Sequence, residues 1–370
     1  MTTISYLTRI EFDFGALTRI AEILTQLGVN RPLVVTDPGL VKLGLADRLM
    51  SCLAPGAALY GDTPANPTEA AVMAATAQFR QAGCDGVVAL GGGSSIDLAK
   101  GVRLLSGHEP PLAQYALIEG GLARIHDRIV PMVAIPTTAG TGAEVGRAAV
   151  LNLADGRKVG VISPHMIPSV ALCDPELTLG LPPGLTAATG MDALSHCLET
   201  FWSAAINPPA DAIALDGLRR IHRALPRAVA DGLDREARWD MMMGSVQGAL
   251  AFQKGLGAIH SLTHSLGAIK TLNLHHGTLN AILAPAVARF NRQVIGWKWD
   301  HLSQIMGAPL DQALSDLNRQ IGIPAGLGAL GVTKAHIPAI VEGALRDHCH
   351  RTNPRIATPE EYALLIEESL

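Results

Sequence analysis

The sequence predicts an α/β domain with a parallel sheet and flanking helices, followed by an all-α domain. Three observations carry that expectation. Up to about residue 177, short β-branched runs alternate with amphipathic stretches, the pattern of strands joined by helical crossovers. Beyond it, strand-like runs all but vanish and apolar residues recur at helical spacing. Finally, 370 residues exceed what one ordinary core holds, so two domains are expected. The boundary falls at Pro182-Pro183, read as a helix stop and linker, which gives domains 1–181 and 182–370.

In the first half, SYLTRIEFDFG (5–15) is strand-like, either an ordinary edge strand or one that joins a partner's sheet. RPLVVTD (31–37) reads as a buried strand, and LYGDTPANPT (59–68) as a strand end running into a turn-rich loop. EAAVMAATAQFRQAGC (69–84) carries Ala, Val, Met and Phe at helical spacing. DGVVALGGGSS is a strand entering a glycine loop, SIDLAKGVRLLS (95–106) the next helix, and IVPMVAIPTTAGTGAE a strand ending in small residues. In the second half the helical stretches are LTAATGMDALSHCLETFWSA, PADAIALDGLRRIHRAL, EARWDMMMGSVQGALAFQKG, IHSLTHSLGAI, TLNAILAPAVARFNRQ, LDQALSDLNRQIG and PEEYALLIEESL.

The chain is 48% hydrophobic and 17% charged, without charge blocks, which is a globular composition. A net charge of −4 and no basic stripe argue against a nucleic-acid partner. MTTISYLTRIEFDF has no apolar run after a basic start, so no secretory signal is read there. No stretch reaches the roughly 18 uncharged apolar residues of a membrane span. The five cysteines (Cys52, Cys84, Cys173, Cys197, Cys349) are scattered, with no Cys-x-x-Cys. That pattern fits a reducing cytoplasm and not a cysteine metal site. Cys197 follows His196 and points about 100° away on a helix, so it reads as packing.

Gly91-Gly92-Gly93-Ser94-Ser95 leaves a strand and opens a helix. Glycines admit a ligand close to the backbone, and a helix N-terminus offers free N–H groups and a positive dipole end. A pyrophosphate suits such a place. Asp97 and Lys100 follow it, and a second loop, Pro136-Thr137-Thr138-Ala139-Gly140-Thr141-Gly142, also leaves a strand end. Ligands of open α/β sheets bind outside the carboxyl ends of the strands. Together these loops could hold a nucleotide from two sides, although the dinucleotide fingerprint Gly-x-Gly-x-x-Gly is absent. Asp37 ends the strand RPLVVTD. It either accepts from a ribose 2′-hydroxyl, which favours NAD over NADP, or caps the turn at Pro38-Gly39.

The helical half holds the metal-ligand chemistry. Asp192 and His196 are four residues apart, as are His260 and His264, so each pair shares a helix face. His275 and His276 follow, so four of the chain's 13 histidines fall between 260 and 276. One carboxylate with several imidazoles on rigid elements is a set that holds a divalent transition metal.

With these residues in view, the chain resembles the iron-containing (group III) alcohol dehydrogenases. GGGSSIDLAK, PTTAGTGAE, Asp192-x3-His196 and HSLTHSLGA…HHG match that family's motifs in order, and SPHMIPSVALCDPELTLGLPP and TNPRIATPEEY resemble further segments. The resemblance implies a dehydroquinate synthase-like fold, with an active-site cleft between the two domains. It implies NAD and Fe²⁺ as cofactors, though the ligand set would also suit Zn²⁺. The implied metal ligands are Asp192, His196, His260 and His276, with His276 preferred to His275 because it precedes Gly277. His264 would line the cleft near the nicotinamide. Gly92, Gly93, Ser94 and Asp97 would face the pyrophosphate and nearby nucleotide, Thr137, Thr138 and Thr141 the adenine side, and Asp37 the adenosine ribose. Asn66 and Lys158 would lie close to the cofactor. Family members are commonly dimers or larger, so a cytoplasmic homo-oligomer is expected.

The implied reaction interconverts a primary alcohol and an aldehyde by hydride transfer, with short alcohols, diols and hydroxy acids or semialdehydes as candidates. A three-His, one-Asp site leaves a position open for the substrate oxygen. The proton would leave through the cofactor ribose, water or His264, since imidazole titrates near neutrality. A lyase of the dehydroquinate synthase kind shares the architecture but must grip a phosphorylated, carboxylated substrate. The cations available near 192–276 are Arg219, Arg220, Arg223, Arg227, Arg235, Arg238, Lys254 and Lys270, mostly on faces that read as solvated. A maleylacetate reductase-like enzyme is a more distant alternative, and a purely metal-binding protein would not need two nucleotide loops. A carboxylated substrate would need an anchor, for which Arg147, Lys254, Lys270 and Arg351 are candidates.

Overall fold

The computed structural model describes residues 8–269, 271, 272 and 274–370. Lys270 therefore lies outside the described residues, as do residues 5–7 of the early strand-like stretch. The chain folds as two compact units, one of residues up to 138 with 142–178, the other of residues 139–141 with 179–370.

The first unit is built on eight strands: β1 (Arg9–Phe12), β2 (Pro32–Val35), β3 (Ala58–Tyr60), β4 (Gly86–Gly91), β5 (Met132–Pro136), β6 (Ala148–Asn152), β7 (Lys158–Ile162) and β8 (Val170–Cys173). Six of them form one sheet in the order β1-β8-β5-β4-β2-β3, and every pair in it is parallel. β2, β4 and β5 are buried along their whole length, hence their unbroken apolar runs. Alternate residues enter two cores. Leu33, Val87, Ala89 and Met132 pack with Val72 and Phe79 of the helix Glu69–Gln81 and with Ile96 and Val102 of the helix Gly93–Leu105. Val34, Val88, Leu90 and Val133 pack on the other face with Ile20, Ile23 and Leu49. The sheet is thus covered on both sides, as the strand–helix alternation predicts.

Three details depart from or extend the sequence reading. The early strand-like stretch supplies β1, an edge strand of its own sheet, with Arg9 beside Val170 and Phe12 beside Cys173. β6 and β7 form an antiparallel hairpin that the periodicity did not disclose. Pro182-Pro183 does not stop a helix. Pro183 is the first residue of the helix Pro183–Trp202, a place where its missing N–H costs nothing and its fixed φ helps.

The second unit is helical, with no strand among the described residues beyond Cys173. Its centre is the helix Pro183–Trp202, buried over most of its circumference. The helices Pro208–Ala230, Arg235–Ala251 and His276–Ile295 pack around it. The helix Ala258–Leu266 lies against His276–Ile295 on one side and Ile337–Arg346 on the other. Trp297–Met306 and Ile337–Arg346 are helices that the sequence reading passed over.

Candidate active site

Three helices bring the metal-ligand candidates together. Asp192 and His196 lie on the central helix Pro183–Trp202, His260 on Ala258–Leu266, and His276 is the first residue of His276–Ile295. Asp192 Oδ1 stands 3.7 Å from His196 Nε2, 3.7 Å from His260 Nε2 and 3.5 Å from His276 Nε2. Those separations are too long for hydrogen bonds. They match the roughly 3.4 Å between ligand atoms that each sit about 2.1 Å from a tetrahedral ion. Asp192, His196 and His260 thus bring their ligand atoms within 4.8 Å of one another, as a metal's donors do, and His276 Nε2 reaches that group at Asp192 Oδ1. His275 is the residue before that helix and makes no comparable approach to Asp192 among the described residues.

Close helix approach makes the convergence possible. A Cβ on Gly277 would stand 2.0 Å from the carbonyl oxygen of Ala188 and 3.2 Å from Asp192 Cβ. Only glycine lets His276 reach the cluster. Gly277→Ala is accordingly expected to push the helix His276–Ile295 outward and lower divalent-metal affinity at least about tenfold, the scale of a misplaced ligand support. Isothermal titration with Zn²⁺ checks this, and an unchanged affinity would contradict it.

The charge distribution points the same way. Burial opposes ionisation of Asp192, but the surrounding His196, His276 and His260 outweigh it and hold its carboxyl well below the usual range. Burial pushes His196 down to about 4, so its ring is neutral near pH 7, the form that can ligate a metal. Burial also disfavours charge on His260, yet Asp192 and Glu199 carry it up to about 9. Two buried carboxylates in one site call for a cation, and a divalent ion satisfies both.

Glu199 is a site residue that the sequence reading missed. It lies one turn beyond His196 and is fully buried. It accepts from the backbone N–H of Gly257 (2.9 Å) and Ile259 (2.7 Å), and His260 Nδ1 donates to it at 2.6 Å. That bond sets the tautomer and leaves Nε2 free to ligate. The spacing Asp-x3-His-x2-Glu on one helix face was the available signal. Glu199→Gln is expected to weaken metal binding by about 10–100-fold, read by competition with a chelator. An affinity equal to wild type would count against this role. Asn280, one turn after His276, was also missed, and its Nδ2 donates to Asp192 Oδ1 at 2.8 Å.

The cluster has a closed side and an open side. Asp192, His196 and His260 side chains are 1–6% exposed, whereas His276 and His264 are each 38% exposed. His264 does not join the ligand atoms. Its ring lies nearly parallel to that of His276, with centroids 5.4 Å apart, and its Nδ1 donates to Asp347 Oδ2 at 2.9 Å.

In the α/β unit the nucleotide-loop candidates gather at the carboxyl ends of neighbouring strands. Gly91 ends β4 beside Pro136 of β5, and Thr137 N donates to Gly91 O at 3.1 Å. Gly91 has φ +150°, and a Cβ there would meet Ser95 Oγ at 2.5 Å, so the loop needs glycine. Gly93 opens a 13-residue helix with no side-chain cap at Gly92, leaving backbone N–H groups for an anion. A Cβ on Gly92 would lie 3.3 Å from Thr138 Oγ1, which brings the two loops side by side. Ser94 Oγ donates to Ala65 O, which places exposed Asn66 next to the glycine loop. The chain reverses its direction of strand addition between β2 and β4, the kind of switch point where nucleotides bind.

Asp37, at the end of β2, is a cap. Its Oδ1 caps a short helix by accepting from Gly39 and Leu40 N–H, while Ser95 Oγ reaches its Oδ2 at 3.5 Å. Asp97 is placed differently from the expectation. It sits one turn into the glycine-loop helix, buried, with Oδ2 accepting from Val150 N, so its carboxylate faces the hairpin rather than the helix N-terminus. Burial raises it to about 6. Lys100 is likewise internal, donating to Gly146 O and Ala148 O. Lys158 begins β7 and is exposed. Thr141 is exposed and belongs to the helical unit, where Ser245 Oγ donates to the neighbouring Gly140 O.

Five of the cations considered in the helical unit have partners within it. Arg220 and Arg223 bind Asp240, Arg227 binds Asp234, and Lys254 is buried against Asp211 and Phe201 O. Arg238, which read as solvated, is buried and donates to Gly232 O, Leu181 O and Thr186 Oγ1. Arg147 and Arg351 are exposed. A phosphorylated substrate of the lyase kind would find none of the first five free.

Comparison with known proteins agrees with this geometry. The profile "Iron-containing alcohol dehydrogenase" matches residues 8–175, and "Fe-containing alcohol dehydrogenase family, C-terminal" matches 186–370. The chain is 52% identical to 4-hydroxybutyrate dehydrogenase of Cupriavidus necator over the full length of both. The crystal structure of a 1,3-propanediol oxidoreductase superimposes with a TM-score of 0.95 at 35% identity, covering all of both chains. That of sulfoacetaldehyde reductase from Bifidobacterium kashiwanohense in complex with NAD+ gives 0.92 at 30%, covering all of this chain and 98% of the other. No helix of the described residues is long and apolar enough to cross a membrane. The chain belongs to the iron-containing alcohol dehydrogenase family, and is a metal-dependent oxidoreductase that moves hydride between NAD(H) and an alcohol or aldehyde.

Proposed function

We propose that this enzyme interconverts a short ω-hydroxy acid and its semialdehyde, of the 4-hydroxybutyrate type. The 52% identity to 4-hydroxybutyrate dehydrogenase over the whole of both chains carries this reading. The likeness to an enzyme named for sulfoacetaldehyde, an aldehyde that also bears an anion, supports it. Of the cations considered for the carboxylate, Arg351 stands exposed on the turn His348–Thr352, which His264's partner Asp347 caps.

Asp192, His196, His260 and His276 hold the metal; the close grouping of the first three and the 3.5 Å approach of His276 Nε2 to Asp192 support that set. Asp37, Asn66, Gly92, Gly93, Ser94, Asp97, Thr137, Thr138, Thr141 and Lys158 make up the NAD site, Asp97 from within the helix rather than at its tip. The NAD-binding domain is residues 1–181 and the metal-binding domain 182–370. When bound, the metal supplies Lewis acidity at the substrate oxygen and NAD⁺ supplies a hydride acceptor. The balance is R–CH₂OH + NAD⁺ → R–CHO + NADH + H⁺. The carbinol C–H bond breaks with its electron pair, the O–H bond breaks, and a C=O bond forms. His264, at the open side of the cluster, accepts the O–H proton. The protein works in the cytoplasm, as its free cysteines suit, and as a homodimer or larger homo-oligomer.

Initial rates of NAD reduction with 4-hydroxybutyrate and with 1,4-butanediol, on enzyme reloaded with Fe²⁺, test the substrate assignment. The two share a chain length and differ in the carboxylate. A kcat/KM at least about tenfold higher for the hydroxy acid is expected, one ion pair's worth of discrimination. A preference for the diol would overturn it.

A further inference from the structure

We propose that Asp347 is a positioning residue that holds His264 in the one tautomer able to accept the substrate proton. The proposal rests on His264 as that acceptor and adds the group that makes it one. Asp347 lies between the helix Ile337–Arg346 and the turn His348–Thr352, and its side chain is 16% exposed. Its two oxygens have separate partners. Oδ1 accepts from Cys349 N at 2.8 Å and so caps the turn, while His264 Nδ1–H donates to Oδ2 at 2.9 Å. With its proton on Nδ1, His264 carries its lone pair on Nε2.

The pair is held rigidly. Ser261 and Ser265, one turn apart on the helix that carries His264, donate to Ala344 O (3.1 Å) and Ile340 O (2.8 Å) on the helix that leads into Asp347. Two such bonds fix both the rotation and the rise of one helix against the other. His264 then stacks on His276 at 10° between planes, on the side of the cluster that is open. A carboxylate behind an imidazole, fixing tautomer and orientation without itself taking the proton, is the arrangement that makes histidine an effective base elsewhere. His264, Asp347 and Cys349 also have the composition of a second metal site. Burial, however, pushes the Cys349 thiol well above its ordinary value, which disfavours a thiolate there.

Asp347→Asn is the informative variant because it is isosteric. Its carbonyl oxygen can keep the bond from Cys349 N–H, and its NH₂ then faces His264 Nδ1, which must become an acceptor and move its proton to Nε2. Expected are a bound-metal content and NADH affinity equal to wild type, KM within about threefold, and kcat lower by about 10²-fold or more. A kcat within threefold of wild type, or loss of metal from the variant, overturns the proposal. So does a second equivalent of metal bound to the wild type. Nitrogen-15 NMR of zinc-loaded wild type gives a reading that does not depend on the variant's folding. The His264 proton is expected on Nδ1, and a proton on Nε2 overturns the idea. The role of His264 itself is judged separately, since a fully active His264→Ala enzyme would remove that reading whatever the tautomer.

Discussion

Asp192→Asn yields a folded chain that holds no stoichiometric divalent ion and has lost at least about 10³-fold in alcohol oxidation, several kcal/mol of Lewis-acid assistance. Asp192 is chosen because it is the single anionic atom to which all three imidazoles turn, at 3.5–3.7 Å. A neutral amide keeps the volume and removes the charge. The remaining donors are neutral rings, and the buried negative charge that offsets a dication falls to Glu199 alone. Global folding should survive, because Asp192 is costly where it stands: burial works against its charge. Metal analysis of the purified variant beside its circular dichroism spectrum checks both halves. A variant that keeps one ion per chain would show that the ligand set is misassigned.

His264→Ala is expected to do the opposite to metal and nearly as much to turnover. The ion stays, because His264 Nε2 is not among the converging atoms and its Nδ1 is bound to Asp347. kcat falls by about 10²–10⁴-fold, the usual contribution of a positioned acid–base group. NADH binding should be unaffected. Should the alanine variant lose its metal, His264 belongs to the ligand set and the proton path must be sought elsewhere.

What could be read in the sequence was what depends on local spacing. Asp192 with His196, and His260 with His264, are visible because four residues make about one helical turn. The glycine and threonine loops are visible because each follows an unbroken apolar strand. What could not be read depends on long-range pairing. Glu199 meets His260 from 61 residues away and Asp347 meets His264 from 83 away, and carboxylates on helices are too common to stand out. The β6–β7 hairpin escaped because its outward positions include apolar Val150 and Ile162, which blur the alternation with buried Ala149, Leu151, Val159 and Val161. Asp97 reads as facing the pyrophosphate because it follows the glycines closely, but one full turn separates it from Gly93 and turns its carboxylate toward Val150 N. His275 and His276 are adjacent, so only the point where the helix starts tells which of them faces Asp192.

X-ray absorption spectroscopy of the enzyme loaded with one equivalent of Fe²⁺ or Zn²⁺ tests the site most directly. A first shell of nitrogen and oxygen at about 2.0–2.2 Å, with three imidazole signatures and no sulfur, is the result the converging Asp192, His196, His260 and His276 predict. A sulfur scatterer at about 2.3 Å would place the ion with Cys349 beside His264 and Asp347, and would contradict the account.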